Sequence, residues 1–280
     1  MNKSFLTSAR NLIFGLVFFP VLNSLAFENL GSVSTSLGGA GVGSINETDS
    51  AFNNPASIYF FQQKSAALSY GSEAQRISLS DNGKDALFPA VIGYSRNTAF
   101  DLETEALHLG FAYPISPVFS AGAAFGFQTT KVLPKTNKER QNIVDVGVTY
   151  KPTAWLSAGL VLKNQPLNDS DLADTIDDRP TIAAGLEMQY MDLTNLRFEI
   201  ESGKNTQSDE KQIYKFGLES YMNEWLFGRI GYQNNNLESQ NYFTAGIGIG
   251  GSQFGLHYAF TKESERQKDD DHSIDLVMPF

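Results

Sequence analysis

From about residue 65 to the C-terminus, apolar side chains recur at every second position in short runs. Ile274, Leu276, Met278 and Phe280 alternate with Ser273, Asp275, Val277 and Pro279. Successive side chains of a strand point to opposite faces, so such a run predicts a strand with one apolar face. The same period recurs in Phe254–Thr261, Phe243–Gly250, Leu226–Tyr232, Tyr214–Glu219, Leu196–Glu201, Ile182–Tyr190, Leu156–Lys163, Ile143–Tyr150, Phe119–Thr129 and Leu107–Tyr113. Phe88–Ser95 adds a further strand, and Ser65–Ser72 with Ile77–Ser80 adds a weaker first hairpin. The series predicts 14 strands, or 12 if that hairpin does not cross with the rest.

The opposite face of these runs is small or charged rather than generally polar. Glu187, Arg197, Glu199, Glu201, Lys215, Glu219, Arg229 and Asp275 fall on it, together with many glycines. A soluble β-sandwich turns a Lys-, Thr- and Ser-rich face to water. An apolar face backed by Gly and mixed charge is the pattern of a transmembrane β-barrel, apolar outward and polar inward. The connections support this. Lys262–His272, Asn234–Asn241, Gly203–Gln212, Asn164–Pro180, Leu133–Gln141 and Arg96–Glu105 are long. Gly250–Ser252, Met222–Glu224, Met191–Thr194, Lys151–Ala154 and Pro114–Val118 are short and alternate with them. Membrane barrels alternate in this way, with long loops outside and short turns in the periplasm. That phase places the acidic stretches Asp169–Asp178 and Asp269–Asp271 outside the cell. Tyr113, Tyr150, Trp155, Tyr190, Trp225, Tyr232 and Tyr242 lie near strand ends, where interfacial aromatic girdles sit.

The N-terminus reads as a secretory signal over residues 1–26. Lys3 and Arg10 precede the apolar Leu12–Leu22, and Ser24-Leu25-Ala26 ends it as a small-x-small cleavage site. The apolar run is shorter than the roughly 20 residues a membrane-spanning helix needs. The expected destination is the outer membrane of a Gram-negative-type bacterium, with membrane lipid as surroundings. The chain has no cysteine, so an oxidising compartment adds no disulfide. A net charge of −10, made more acidic by loss of Lys3 and Arg10, excludes nucleic acid as a partner.

Residues 27–64 do not alternate. They carry Gly31, the run Ser36-Leu37-Gly38-Gly39-Ala40-Gly41-Val42-Gly43, and Asp49-Ser50-Ala51-Phe52-Asn53 followed by Asn54-Pro55-Ala56. A glycine-rich turn, a short Asp/Ala stretch and an Asn-Pro-Ala triplet, placed before a strand series, resemble the N-terminal hatch of the FadL-like outer-membrane family. That family embraces long-chain fatty-acid transporters, aromatic hydrocarbon channels and the PorV-type proteins of type IX secretion. The resemblance implies a 14-stranded barrel over residues 65–280 with a hatch, residues 27–64, in its lumen. It implies a passive channel for small hydrophobic molecules such as fatty acids. The alternative is a PorV-like scaffold that binds secreted proteins or a secretion machine. A terminal Phe is an assembly signal in this class, which assigns Phe280 to the barrel assembly machinery. Family transporters also open laterally at a kink in the third strand, and Pro89 marks the matching place because proline cannot donate to the ladder. The family's transporters are much longer, with large extracellular loops that form an apolar capture groove; beside those, the loops here are short and polar, and none offers such a groove.

Other chemistry is thin. Gly39-x-Gly41-x-Gly43 lacks the Lys-Ser/Thr of a phosphate loop and follows no strand of a βαβ unit. His108, His257 and His272 stand on distant segments, without metal spacing and without a nucleophile motif beside them. The sequence therefore predicts no enzyme and no cofactor. The inward charges read as a network that knits the lumen and holds the hatch.

Overall fold

A computed structural model describes residues 30–99, 102–132, 138–168, 180–191, 193–204, 209–237, 239–251, 253–264 and 270–280. The signal segment 1–26 and Asp169–Asp178 lie outside the described residues. Fourteen strands form one closed antiparallel barrel: β1 (Ser65–Gly71), β2 (Ala74–Asp81), β3 (Ala90–Ala99), β4 (Leu102–Ser116), β5 (Phe119–Val132), β6 (Lys138–Thr153), β7 (Leu156–Pro166), β8 (Thr181–Tyr190), β9 (Thr194–Lys204), β10 (Glu210–Tyr221), β11 (Leu226–Asn235), β12 (Gln240–Gly250), β13 (Gly255–Glu263) and β14 (Asp271–Pro279). Each strand pairs with its sequence neighbours, and β1 closes the ring on β14 with Leu68 opposite Leu276 and Ser69 opposite Asp275. The weak first hairpin thus belongs to the barrel, and the count is 14. Closure leaves no sheet edge, the condition for strands to lie in hydrocarbon.

The faces follow the period-two reading. Ile274 and Met278 are exposed on the outside, whereas Ser273, Asp275 and Val277 are buried inside. Phe198, Phe216, Ile230 and Phe243 likewise point outward. No helix among the described residues is long and apolar enough to cross a membrane, so the apolar surface belongs to the strands.

Three expectations are corrected. Pro89 lies before β3 rather than within it, and β3 is paired on both sides from Ala90, with Asp81 on one flank and Phe111 on the other. Its missing N–H falls outside the ladder, while its carbonyl accepts from Ala112 N at 2.9 Å. The pairing of β3 with both neighbours thus runs from Ala90, next to Pro89. Arg96–Glu105 is mostly strand, not loop: Arg96 pairs with Glu105, Asn97 with Thr104 and Thr98 with Glu103. Polar side chains carry pairing beyond the apolar band, where the hydrophobic signal has ended. Tyr242 is buried inside, because its parity is that of inward Thr244 rather than outward Phe243.

Residues 30–61 run inside the barrel, and nearly all are buried. Helix α1 (Ser32–Ser36) packs against β11–β14, and a 3₁₀ helix (Pro55–Phe60) packs against β3–β6. The segment is therefore gripped by opposite walls at its two ends.

Candidate functional site

The glycine-rich turn explains how a backbone can thread a filled lumen. Gly38 and Gly39 have φ of 68° and 79°, a left-handed conformation that side chains with a Cβ disfavour. Ala40 follows, and then Gly41 N and Val42 N both donate to one oxygen of Glu199 at 2.8 Å. The wall facing this turn has glycines of its own. A Cβ on Gly159 would overlap Val42 O, and one on Gly231 would overlap Gly38 N. The inward glycines of the strand pattern are thus seats for the internal backbone, a role that their spacing alone does not disclose.

The charges predicted to face the lumen are brought together on β8–β11. Lys215 Nζ lies 2.8 Å from Glu199 and 2.7 Å from Glu201, and all three are buried. Lys163 Nζ stands 3.8 Å from Glu201, a fourth member that sequence reading did not single out. Arg197 Nε donates to Glu187 at 2.6 Å, and its Nη1 reaches Ala40 O at 3.4 Å. Arg229 Nε donates to Glu219 at 2.6 Å, while Asn195 donates to the other Glu219 oxygen at 2.8 Å. Four cations thus stand against four carboxylates, the pairing that burial of charge demands.

Further round the wall, Asp275 accepts from Ser32 N at 2.6 Å and from Ser32 Oγ at 2.9 Å. Asp49, within the segment, accepts from Gly31 N at 2.5 Å and from Ser34 Oγ at 2.6 Å. The two carboxylates bracket Gly31, where a Cβ would sit 2.6 Å from Asp275 and 2.7 Å from Asp49. The Asp49 role was not legible, because it depends on contacts with the start of the same segment.

Asn54, Pro55 and Ala56 form the other anchor. Asn54 is extended (φ −150°, ψ 103°), as a residue before proline should be. Its Oδ1 caps the 3₁₀ helix by accepting from Ala56 N at 3.1 Å. Its Nδ2 donates to Val42 O at 2.9 Å and to Thr149 Oγ1 at 3.1 Å. Ser120 Oγ donates to Ala56 O at 2.7 Å, and Ser157 Oγ donates to Gly43 O at 2.7 Å. Pro55 supplies the fixed first residue of the helix.

Below this anchor the contacts become apolar. Ala51, Phe52, Ile58 and Phe61 pack against Val91 of β3 and Ala112 of β4. Phe52 also meets His108 edge-on, with ring centroids 4.9 Å apart. This seam runs toward the end of the barrel that carries the short turns. There a cavity of about 690 Å³ opens between residues 59–62, the β2–β3 connection and the turns after β4 and β6. Tyr59, Phe60, Phe61, Leu87, Phe88 and Pro89 form its apolar lining. Phe280, at the same end, is exposed, and its N–H donates to Lys64 O at 2.8 Å.

The remaining histidines play different parts: His257 lies 3.3 Å from Arg229, and His272 stacks on Tyr258 at the surface. Among the described residues no group of three or more His, Cys, Asp or Glu side chains could hold a metal ion.

No protein-family model matches the sequence, and no curated protein matches it. Solved structures do share its fold. The P. putida toluene transporter TodX superposes with a TM-score of 0.71 at 10% identity, over 91% of this chain and 99% of that one. The CymD monoaromatic hydrocarbon channel gives 0.69 at 12% identity, over 92% and 99%. A Pseudomonas aeruginosa FadL homologue gives 0.66 at 10% identity, over 89% and 98%. The chain therefore has the barrel architecture of these transporters.

Proposed function

We propose that this protein is an outer-membrane channel through which small hydrophobic molecules pass without an energy source, with residues 27–64 as its hatch. The observation that carries the reading is the asymmetry of the internal segment. Its β8–β14 side is held by charge-assisted hydrogen bonds to Glu199 and Asp275, Glu199 being itself ion-paired within the wall, whereas its β3–β4 side meets the wall through an apolar seam. An apolar solute can follow that seam by displacing side-chain contacts, without breaking a buried salt bridge. The architecture supports this, since TodX is a toluene transporter and CymD a monoaromatic hydrocarbon channel. An apolar outer face supports a position in the outer membrane, with the short turns toward the periplasm.

The test is uptake. Cells that carry the protein take up radiolabelled toluene several-fold faster than cells from which it has been deleted. Equal initial rates overturn the channel. Equal rates together with a stoichiometric protein partner in native mass spectrometry replace it with a platform for secreted proteins.

A further inference from the structure

We propose that the cavity at the short-turn end is the channel's release site, and that it receives molecules with a compact apolar body and one anionic group, which leave into the periplasm. The proposal rests on the channel reading. The first argument is closure of the wall. With β3 paired to both neighbours from Ala90 onward, a solute in the seam finds no gap to the lipid beside Pro89. The seam instead continues from Phe52 through Ile58 to Phe61, and Phe61 lines both seam and cavity.

The second argument is electrostatic. The protein carries net charge −10, yet the cavity lining includes Lys84 and Lys151 and no acidic residue. The nearby acids are already engaged: Lys64 pairs with Asp81 at 3.1 Å and with Asp85 at 3.6 Å. Among the described residues Lys84 Nζ donates to the Gln62 carbonyl alone, at 2.7 Å, and neither Lys84 nor Lys151 has a carboxylate partner. Glu47 and Glu187 face the adjoining smaller cavity, which shares Phe60, Phe61 and Lys151 with this one. Aromatic and proline walls take the apolar body, and the two ammonium groups take the charge. A volume of about 690 Å³ falls within the roughly 300–1,000 Å³ of small-molecule sites.

The test uses the full mature protein in liposomes with two photoreactive probes, 4-benzoylbenzoate and its uncharged analogue 4-methylbenzophenone. Peptide mapping is expected to place 4-benzoylbenzoate on residues 59–62 and 87–89. Lys84→Gln with Lys151→Gln lowers that labelling at least tenfold, Lys84→Arg with Lys151→Arg retains it, and labelling by the neutral probe stays unchanged. Heat-modifiable gel migration confirms that each variant is a folded barrel. Labelling confined to the lipid-facing wall, or equal in the Gln variant, overturns the site. Toluene uptake by the same variants separates the two readings. Normal uptake without cavity labelling removes the release site and leaves the channel. Cavity labelling without uptake by the unaltered protein removes the channel, and the release role with it.

Discussion

The two walls that hold the internal segment solve the same problem with opposite chemistry. On β8–β11, two carboxylates share one ammonium, and the backbone of the glycine turn docks on the carboxylate so fixed. On β3 and β4, Val91 and Ala112 offer no polar side chain, and Ile58 and Phe61 are held by packing. The difference lies in how each responds to a shift of the segment. Charge-assisted hydrogen bonds from the segment's backbone to buried carboxylates are directional and costly to break singly, so they hold one register. Apolar contacts are non-directional and reform after a small slide. If the segment acts as the proposed hatch, it is expected to pivot on its charged side and to yield on its apolar side.

The largest effect is expected from Lys215→Met. It leaves Glu199 and Glu201 buried without their shared cation, at a cost of about 3–5 kcal/mol. The glycine turn loses its fixed acceptor with it. Planar-bilayer recording should show ion conductance well above that of the unaltered protein, and urea unfolding should shift to lower concentration. An unchanged, silent barrel would mean that the charged wall does not fix the hatch.

Ile58→Ala probes the other wall. The side chain is fully buried in the seam, and its truncation costs about 2–5 kcal/mol in a packed core. Because the charged side stays intact, toluene uptake should rise while ion conductance stays at the unaltered level. Conductance rising as much as in Lys215→Met would erase the distinction between the walls.

What the sequence disclosed of this asymmetry follows from the range of the interactions. The strands and their faces depend on a local period of two, so all 14 strands, and the inward side of Glu199 and Lys215, could be read from neighbours in sequence. The docking of Gly41 and Val42 on Glu199 joins residues more than 150 positions apart, and nothing in the pattern selects Glu199 over Glu201 or Glu219. The strand tips were hidden for a different reason. Beyond the apolar band, Arg96 and Glu105 have loop-like composition but still pair. Pro89 misled because a proline at a strand's first turn and one inside it look alike until the register is known.

A third, smaller effect tests a steric seat on β7, between the two walls. Gly159→Ala puts a methyl group against Val42 O, whereas among the described residues none but Gly251 and its chain neighbours comes within 4 Å of the carbon added by Gly251→Ala. Overpacking costs about 1–3 kcal/mol, so the first variant should unfold at lower urea and the second should match the unaltered protein. Equal midpoints would show that the internal backbone does not rest on the wall glycines.

The smallest effect comes from separating charge chemistry from its surroundings. Arg197 with Glu187 and Arg96 with Glu103 are both guanidinium–carboxylate pairs, at 2.6 and 2.7 Å. Their side chains differ in exposure: 8% and 19% for the lumen pair, 47% and 20% for the pair at the strand tips. Water and salt screen the second pair, and a double-mutant cycle on Arg96 and Glu103 should return about 0.2–1 kcal/mol, declining as ionic strength rises. The cycle on Arg197 and Glu187 should return a larger coupling that salt hardly changes, because Arg197 also reaches the carbonyl of Ala40 inside the barrel. If the two cycles agreed in size and in salt dependence, the lumen would be as wet as the rim. Its ion pairs could not then be what sets the charged wall apart from the apolar one.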